Sequence, residues 1–125
     1  MAVTHPTAVR NGIADFVVDQ LDEGTPPGKL VFRTSGDVQV ATLTFSNPAF
    51  GSASGGTATA GAITSDVAAT GGTIAKATLE NAAGTTKVSC SVTATGGGGD
   101  ITLSSVVVSA LQTVAVSSLT YTGPA

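Results

Sequence analysis

A mainly β fold, an antiparallel sandwich or jelly-roll-like barrel carrying one N-terminal α-helix, is predicted by three features of the chain. Apolar residues recur at helical spacing in one place only, residues 7–22. Across residues 29–122 the apolar spacing becomes two. The alternating segments are short and are separated by turns rich in Gly, Asn, Asp and Ser, the pattern of layered antiparallel sheets. At 125 residues the chain is expected to form a single domain, residues 1–125, with one modest core.

The helix is read from THPTAVRNGIADFVVDQLDEG. Val9, Ile13, Phe16, Val17 and Leu21 fall on one face at three- and four-residue steps, so that face is expected to be buried. Thr7, or Thr4 ahead of Pro6, is placed to cap the start, and Gly24 with Pro26 and Pro27 ends the helix. Gly12 costs about 1 kcal/mol relative to Ala in a helix interior, which points to close backbone contact.

After Gly24 the strands begin. GKLVFRT puts Leu30 and Phe32 on one face, and TSGD makes a turn over Thr34–Asp37. DVQVATLTF places Val38 and Val40 on one side but Leu43 and Phe45 on the other, a change of phase that predicts a bulge or a strand covered on both faces. TIAKATLE turns Ala75, Ala77 and Leu79 one way and Lys76, Thr78 and Glu80 the other. After the turn NAAGT, TKVSCSVT returns with Val88, Cys90 and Val92 inward. GGGGD is a flexible connection, and ITLSSVVV with TVAVSSLTYT forms a last hairpin around Ser109–Gln112, with a bulge at Ser117–Ser118.

Composition narrows the function. Apolar residues make up 42% of the chain, mostly Ala and Val, with four Phe, one Tyr and no Trp. Charged residues are 10%, against about 25% in an ordinary soluble domain. The polar surface is therefore Thr, Ser and Gly, which loses little side-chain entropy when covered by a partner. Arg10, Lys29, Arg33, Lys76 and Lys87 are scattered singly and the net charge is −3, so no nucleic-acid partner is expected. No apolar run has the length of a membrane span, and MAVTHPTAVR lacks the pattern of a secretory signal. Cys90 is the single cysteine, so no internal disulfide framework exists.

Catalytic patterns fail on inspection. His5, the one histidine, sits beside Pro6 at the start of the chain, a poor place for a general base. GSASG has Ala53 where a nucleophile elbow needs serine. GGGGD is followed neither by Lys–Ser/Thr nor by a helix, so it is no phosphate loop. Cys90, between Val88 and Val92, is expected to be a small buried thiol. Asp37, Asp66 and Asp100 stand at turns, where Asp ordinarily bonds its own backbone. The reading is a non-enzyme with no cofactor and no metal.

Two features remain. Asp15, Asp19 and Asp22 form an acidic stripe beside the helix's apolar face, either solvated or docked on a basic partner. Ser46–Thr64, SNPAFGSASGGTATAGAIT, has no charged side chain, alternates as a strand over Thr57–Ala60, and carries Pro48 and Phe50 among small residues that let backbones approach closely. Phe50 reads as an anchor, in a neighbour's surface or in its own core. Candidate partner-interface residues are thus Phe50, Pro48, Asp15, Asp19 and Asp22.

The short helix, SNPAFG with its Ala/Thr/Gly continuation, GGTIAKATLENAAGT and the closing VAVSSLTYTGPA together resemble small structural proteins of tailed bacteriophages. Among these the chain is most similar to head decoration (cement) proteins. The resemblance implies a virion protein, made in the host cytoplasm, that sits on the capsid exterior, often as a homotrimer, and clamps subunits of the major capsid protein. The alternative is a head- or tail-fibre module that engages a host surface glycan or protein. A small hydrolase is a third class, for which the sequence supplies no base.

Overall fold

A computed structural model describes residues 4–23, 27–116 and 118–123. Helix α1 spans Thr7–Asp19 and closes in a 3-10 turn at Gln20–Asp22, matching the expected 7–22. Ten strands follow: β1 (Lys29–Arg33), β2 (Gln39–Phe45), β3 (Thr57–Thr59), β4 (Ile63–Thr64) and β5 (Gly72–Thr73) come first. Then come β6 (Lys76–Glu80), β7 (Thr86–Ala94), β8 (Ile101–Leu103), β9 (Val107–Val108) and β10 (Thr120–Thr122). The protein is mainly β with one N-terminal helix, and its largest sheet curls in the manner of a sandwich or barrel.

That sheet has six strands in the order β4-β2-β1-β6-β7-β8, beside two ribbons, β10-β3 and β5-β9. Leu30 faces Leu43 and Leu79, and Phe32 faces Ala41 and Ala77, so apolar residues of three neighbouring strands line up across one face. The ladder between β1 and β2 steps between Phe32 and Arg33, so the change of phase is met by a bulge, the first of its two expected outcomes. Its effect is to bury Val40 and Ala41 together, while Val38 stays exposed.

Three expectations are corrected. The expected caps Thr7 and Thr4 do not cap: Pro6 takes the N-cap position and offers no side-chain bond. The buried face of α1 is Ala14, Val18 and Leu21, whereas Val9 and Phe16 are 44% and 67% exposed. Two apolar arcs overlap on this helix, and the smaller one packs because α1 lies close against β3 and β10. Thr78 and Glu80 do not face solvent. Glu80 is buried, where it accepts bonds from Thr78 Oγ1 at 2.6 Å and Arg33 at 2.9 Å, because β6 is a central strand whose second face is covered.

The closing hairpin also fails to form. Its turn is present, with the Gln112 amide donating to the Ser109 carbonyl at 3.1 Å, but each arm pairs elsewhere. β9 joins β5, β10 joins β3, and β8 lies parallel to β7 with Val92 opposite Ile101. The main sheet is therefore mixed, not wholly antiparallel. Local alternation identifies strands but not their partners. The run Gly96–Gly99 makes the tight parallel return possible: a Cβ at Gly97 or Gly99 would come within 2.7 or 2.9 Å of Thr93 side-chain atoms. Ser117 of the expected second bulge lies outside the described residues, as do Gly24 and Pro26 of the helix stop.

Candidate functional site

The uncharged stretch Ser46–Thr64 lies along α1, and the helix's own polar residues hold it there. Asn11, Asp15 and Asp22 are separated by four and seven residues, which sets them on one side of the helix. Asn11 Oδ1 accepts the Gly56 amide at 2.7 Å, Asp15 Oδ1 the Ala53 amide at 2.7 Å, and Asp22 Oδ1 the Ala49 amide at 3.0 Å. Bonds from amides to carboxylates are charge-assisted and stronger than neutral ones. Small side chains are needed here, because Asp is short and the backbone must come to it.

The stretch also folds on itself. The Gly51 amide donates to Thr59, Gly61 to Ala49, and Ser54 and Thr57 exchange backbone bonds. Thr57–Thr59 forms β3, the strand that the Thr–Ala alternation predicts, and it pairs with β10. Phe50 is 5% exposed, with its ring 5.7 Å from that of Phe45, so its side chain fills the subunit's own core. Of the two anchors the sequence leaves open, this is the internal one.

Four of the five predicted interface residues nevertheless converge. Asp15, Asp19, Pro48 and Phe50, with Gly51 and Ser52, line a shallow groove of about 340 Å³ between α1 and the stretch. Asp22 holds Ala49 beside Pro48. Asp15 and Asp22 give hydrogen-bonding capacity to their own chain, which the sequence reading of a solvated or partner-docked stripe did not foresee. Asp19, between them, has no such bond among the described residues. Sequence reasoning also missed the exposed pair Val9 and Phe16, because their apolar character marked them as core.

A second, open cavity of about 560 Å³ lies at the other end of the chain, lined mainly by Ser, Thr and Val residues of 100–120. Asp100 is the one charged residue among the described residues that line it, and it is engaged, accepting the Ser91 amide at 3.0 Å and bonding the Ser91 hydroxyl. Asp66 accepts the Ala68 amide of its own turn, as expected, and also the Thr42 amide. Asp37 pairs with Lys76 at 2.7 Å, which holds its carboxyl below the usual range.

The Cys90 thiol is pushed up to about 11, chiefly by burial and then by the charge of Asp100. It stays protonated at neutral pH and is a poor nucleophile. Lys87 is occupied by Glu23 at 2.7 Å. Among the described residues no group of three or more His, Cys, Asp or Glu is placed to hold a metal ion, and no helix is long and apolar enough to cross a membrane. Compared with protein-family models, curated proteins and solved structures, the chain matches none.

Proposed function

We propose that the protein is a non-catalytic structural component of a phage virion, seated on the capsid exterior, where it bridges and stabilises subunits of the major capsid protein. One observation carries the reading: α1 and the uncharged stretch are tied together by Asn11, Asp15 and Asp22 into one surface whose groove collects Asp15, Asp19, Pro48 and Phe50. A surface already ordered by its own hydrogen bonds loses little entropy on docking. Contacts of this size are weak singly and become strong when repeated over a lattice. The resemblance to decoration proteins supplies the partner and suggests a homotrimer.

Purified full capsids test this directly. The protein should copurify with them in fixed stoichiometry, and Ser52→Lys at the groove should reduce its occupancy without lowering its own melting temperature. Capsids that never carry the protein would refute the reading. The alternative, a fibre module binding a host glycan, is favoured only by the Ser/Thr-lined cavity at residues 100–120, and selective binding on a glycan array would support it instead.

A further inference from the structure

Among the described residues, one side of α1 is left open. Turned away from the body are Val9 and Phe16, 44% and 67% exposed, and between them Gly12, which has no atom within 4 Å of the place its Cβ would occupy. These residues share a face, since three- and four-residue steps return to the same side. Glycine weakens a helix interior, and nothing among the described residues requires a missing side chain at this position. The ends of the helix are equally ill-matched. Pro6 at the N-cap gives no side-chain bond and the first turn holds no acid, so the amides at Thr7 and Ala8, which have no acceptor among the described residues, meet no negative charge from their own helix. Asp19 closes the helix at its negative end, and no basic residue stands in that turn.

We infer that this face pairs with the same face of a second copy, antiparallel, about a twofold axis passing between Gly12 and Ile13. In that register Val9 lies against Phe16 of the partner subunit, and Gly12 lies against Ile13 of the partner subunit, so that the missing side chain lets the two backbones approach. Asp19 then stands over the free amides at Thr7 and Ala8 of the partner subunit, where a carboxylate is stabilised by the helix's positive end. Each feature that is unfavourable in one copy is thereby matched by its symmetry mate, as an isologous contact requires. Charge complementarity and the glycine both point to a second copy of this chain rather than to a foreign surface. The contact is small and acts where copies are already concentrated. Being twofold, it is separate from any threefold contact, and it stands whether or not the chain decorates a capsid.

Cysteine cross-linking in a Cys90→Ala background tests the pairing and its register, with circular dichroism to verify that each variant is folded. Under mild oxidation Gly12→Cys should form disulfide-linked dimers, because the two copies of position 12 meet across the axis. Val9→Cys alone and Phe16→Cys alone, whose copies lie about 10 Å apart along the axis, should cross-link roughly tenfold more slowly. An equimolar mixture of these two variants should recover the fast rate, and adding Asp19→Lys to Gly12→Cys should slow it several-fold. Cross-linking of Gly12→Cys and of the mixture no faster than random collision would overturn the proposal. So would a faster reaction of Phe16→Cys with itself, which would indicate parallel helices.

Discussion

Replacing Asp15 by alanine tests whether the acidic stripe serves the protein's own fold. Asp15 Oδ1 accepts the part-buried Ala53 amide at 2.7 Å, the shortest class of bond in the clamp. Hydrogen bonds to charged groups contribute about 1.5–3 kcal/mol, and alanine at this site leaves the amide without its carboxylate. Against that loss stands relief from the like charge of Asp19 one turn away, about 0.2–0.5 kcal/mol. The expected net destabilisation is about 1–2.5 kcal/mol. Asp19→Ala is the control: it has the same charge, on the same helix, but no backbone bond, and should change stability by less than about 0.5 kcal/mol. Urea unfolding of both variants supplies the free energies. Hydrogen exchange at the Ala53 amide supplies the local reading, with protection falling about tenfold for each 1.4 kcal/mol if the stretch lifts from the helix. Equal unfolding midpoints for the two variants, with unchanged exchange at Ala53, would refute the clamp.

Three further predictions concern the core and the charges. Phe50→Ala should cost about 3–5 kcal/mol of folding stability, measured by thermal or urea unfolding, because the ring is buried against Phe45; a stable variant that only associates less would place the ring in an interface. Cys90 should react slowly with a thiol reagent in the native protein, faster as pH rises toward 11, and at once on unfolding; prompt labelling at neutral pH would contradict its burial. Asp37 and Glu23 have folded-state carboxyls held below their ordinary values by Lys76 and Lys87. The stability these pairs contribute should therefore be complete above the ordinary carboxylate values and lost as pH falls below them, through the lowered folded-state values. An acid-unfolding curve unchanged by Lys76→Ala together with Lys87→Ala would show that they contribute nothing.

The elements of this fold are legible where local chemistry decides them. The helix 7–22 and the strand at Thr57–Thr59 follow from spacing alone, and the bulge opposite Phe32–Arg33 is one of the two outcomes that the change of phase allows. What spacing cannot supply is a choice between equivalent partners. α1 carries two overlapping apolar arcs, and the smaller arc of Ala14, Val18 and Leu21 packs because β3 and β10 approach closely. The arms flanking Ser109–Gln112 alternate like a hairpin, yet each is bound by a different strand. The candidate groove was legible in part. Asp15, Asp19, Pro48 and Phe50 were singled out by type and position, but that Asn11, Asp15 and Asp22 bind backbone amides between twenty-seven and forty-five residues away depends on tertiary structure. The outward Phe16 shows the same limit: an apolar residue at helical spacing is ordinarily core, and only its surroundings say otherwise.

Capsid stability tests the proposed bridging of capsid subunits most directly. Capsids assembled from the major capsid protein encoded nearest to this chain, and lacking the protein, would be titrated with it while their disruption by heat or denaturant is followed by light scattering. Saturable binding at a fixed ratio is expected, with a rise in the disruption midpoint that follows occupancy. No binding, or binding that leaves the midpoint unchanged, would contradict it.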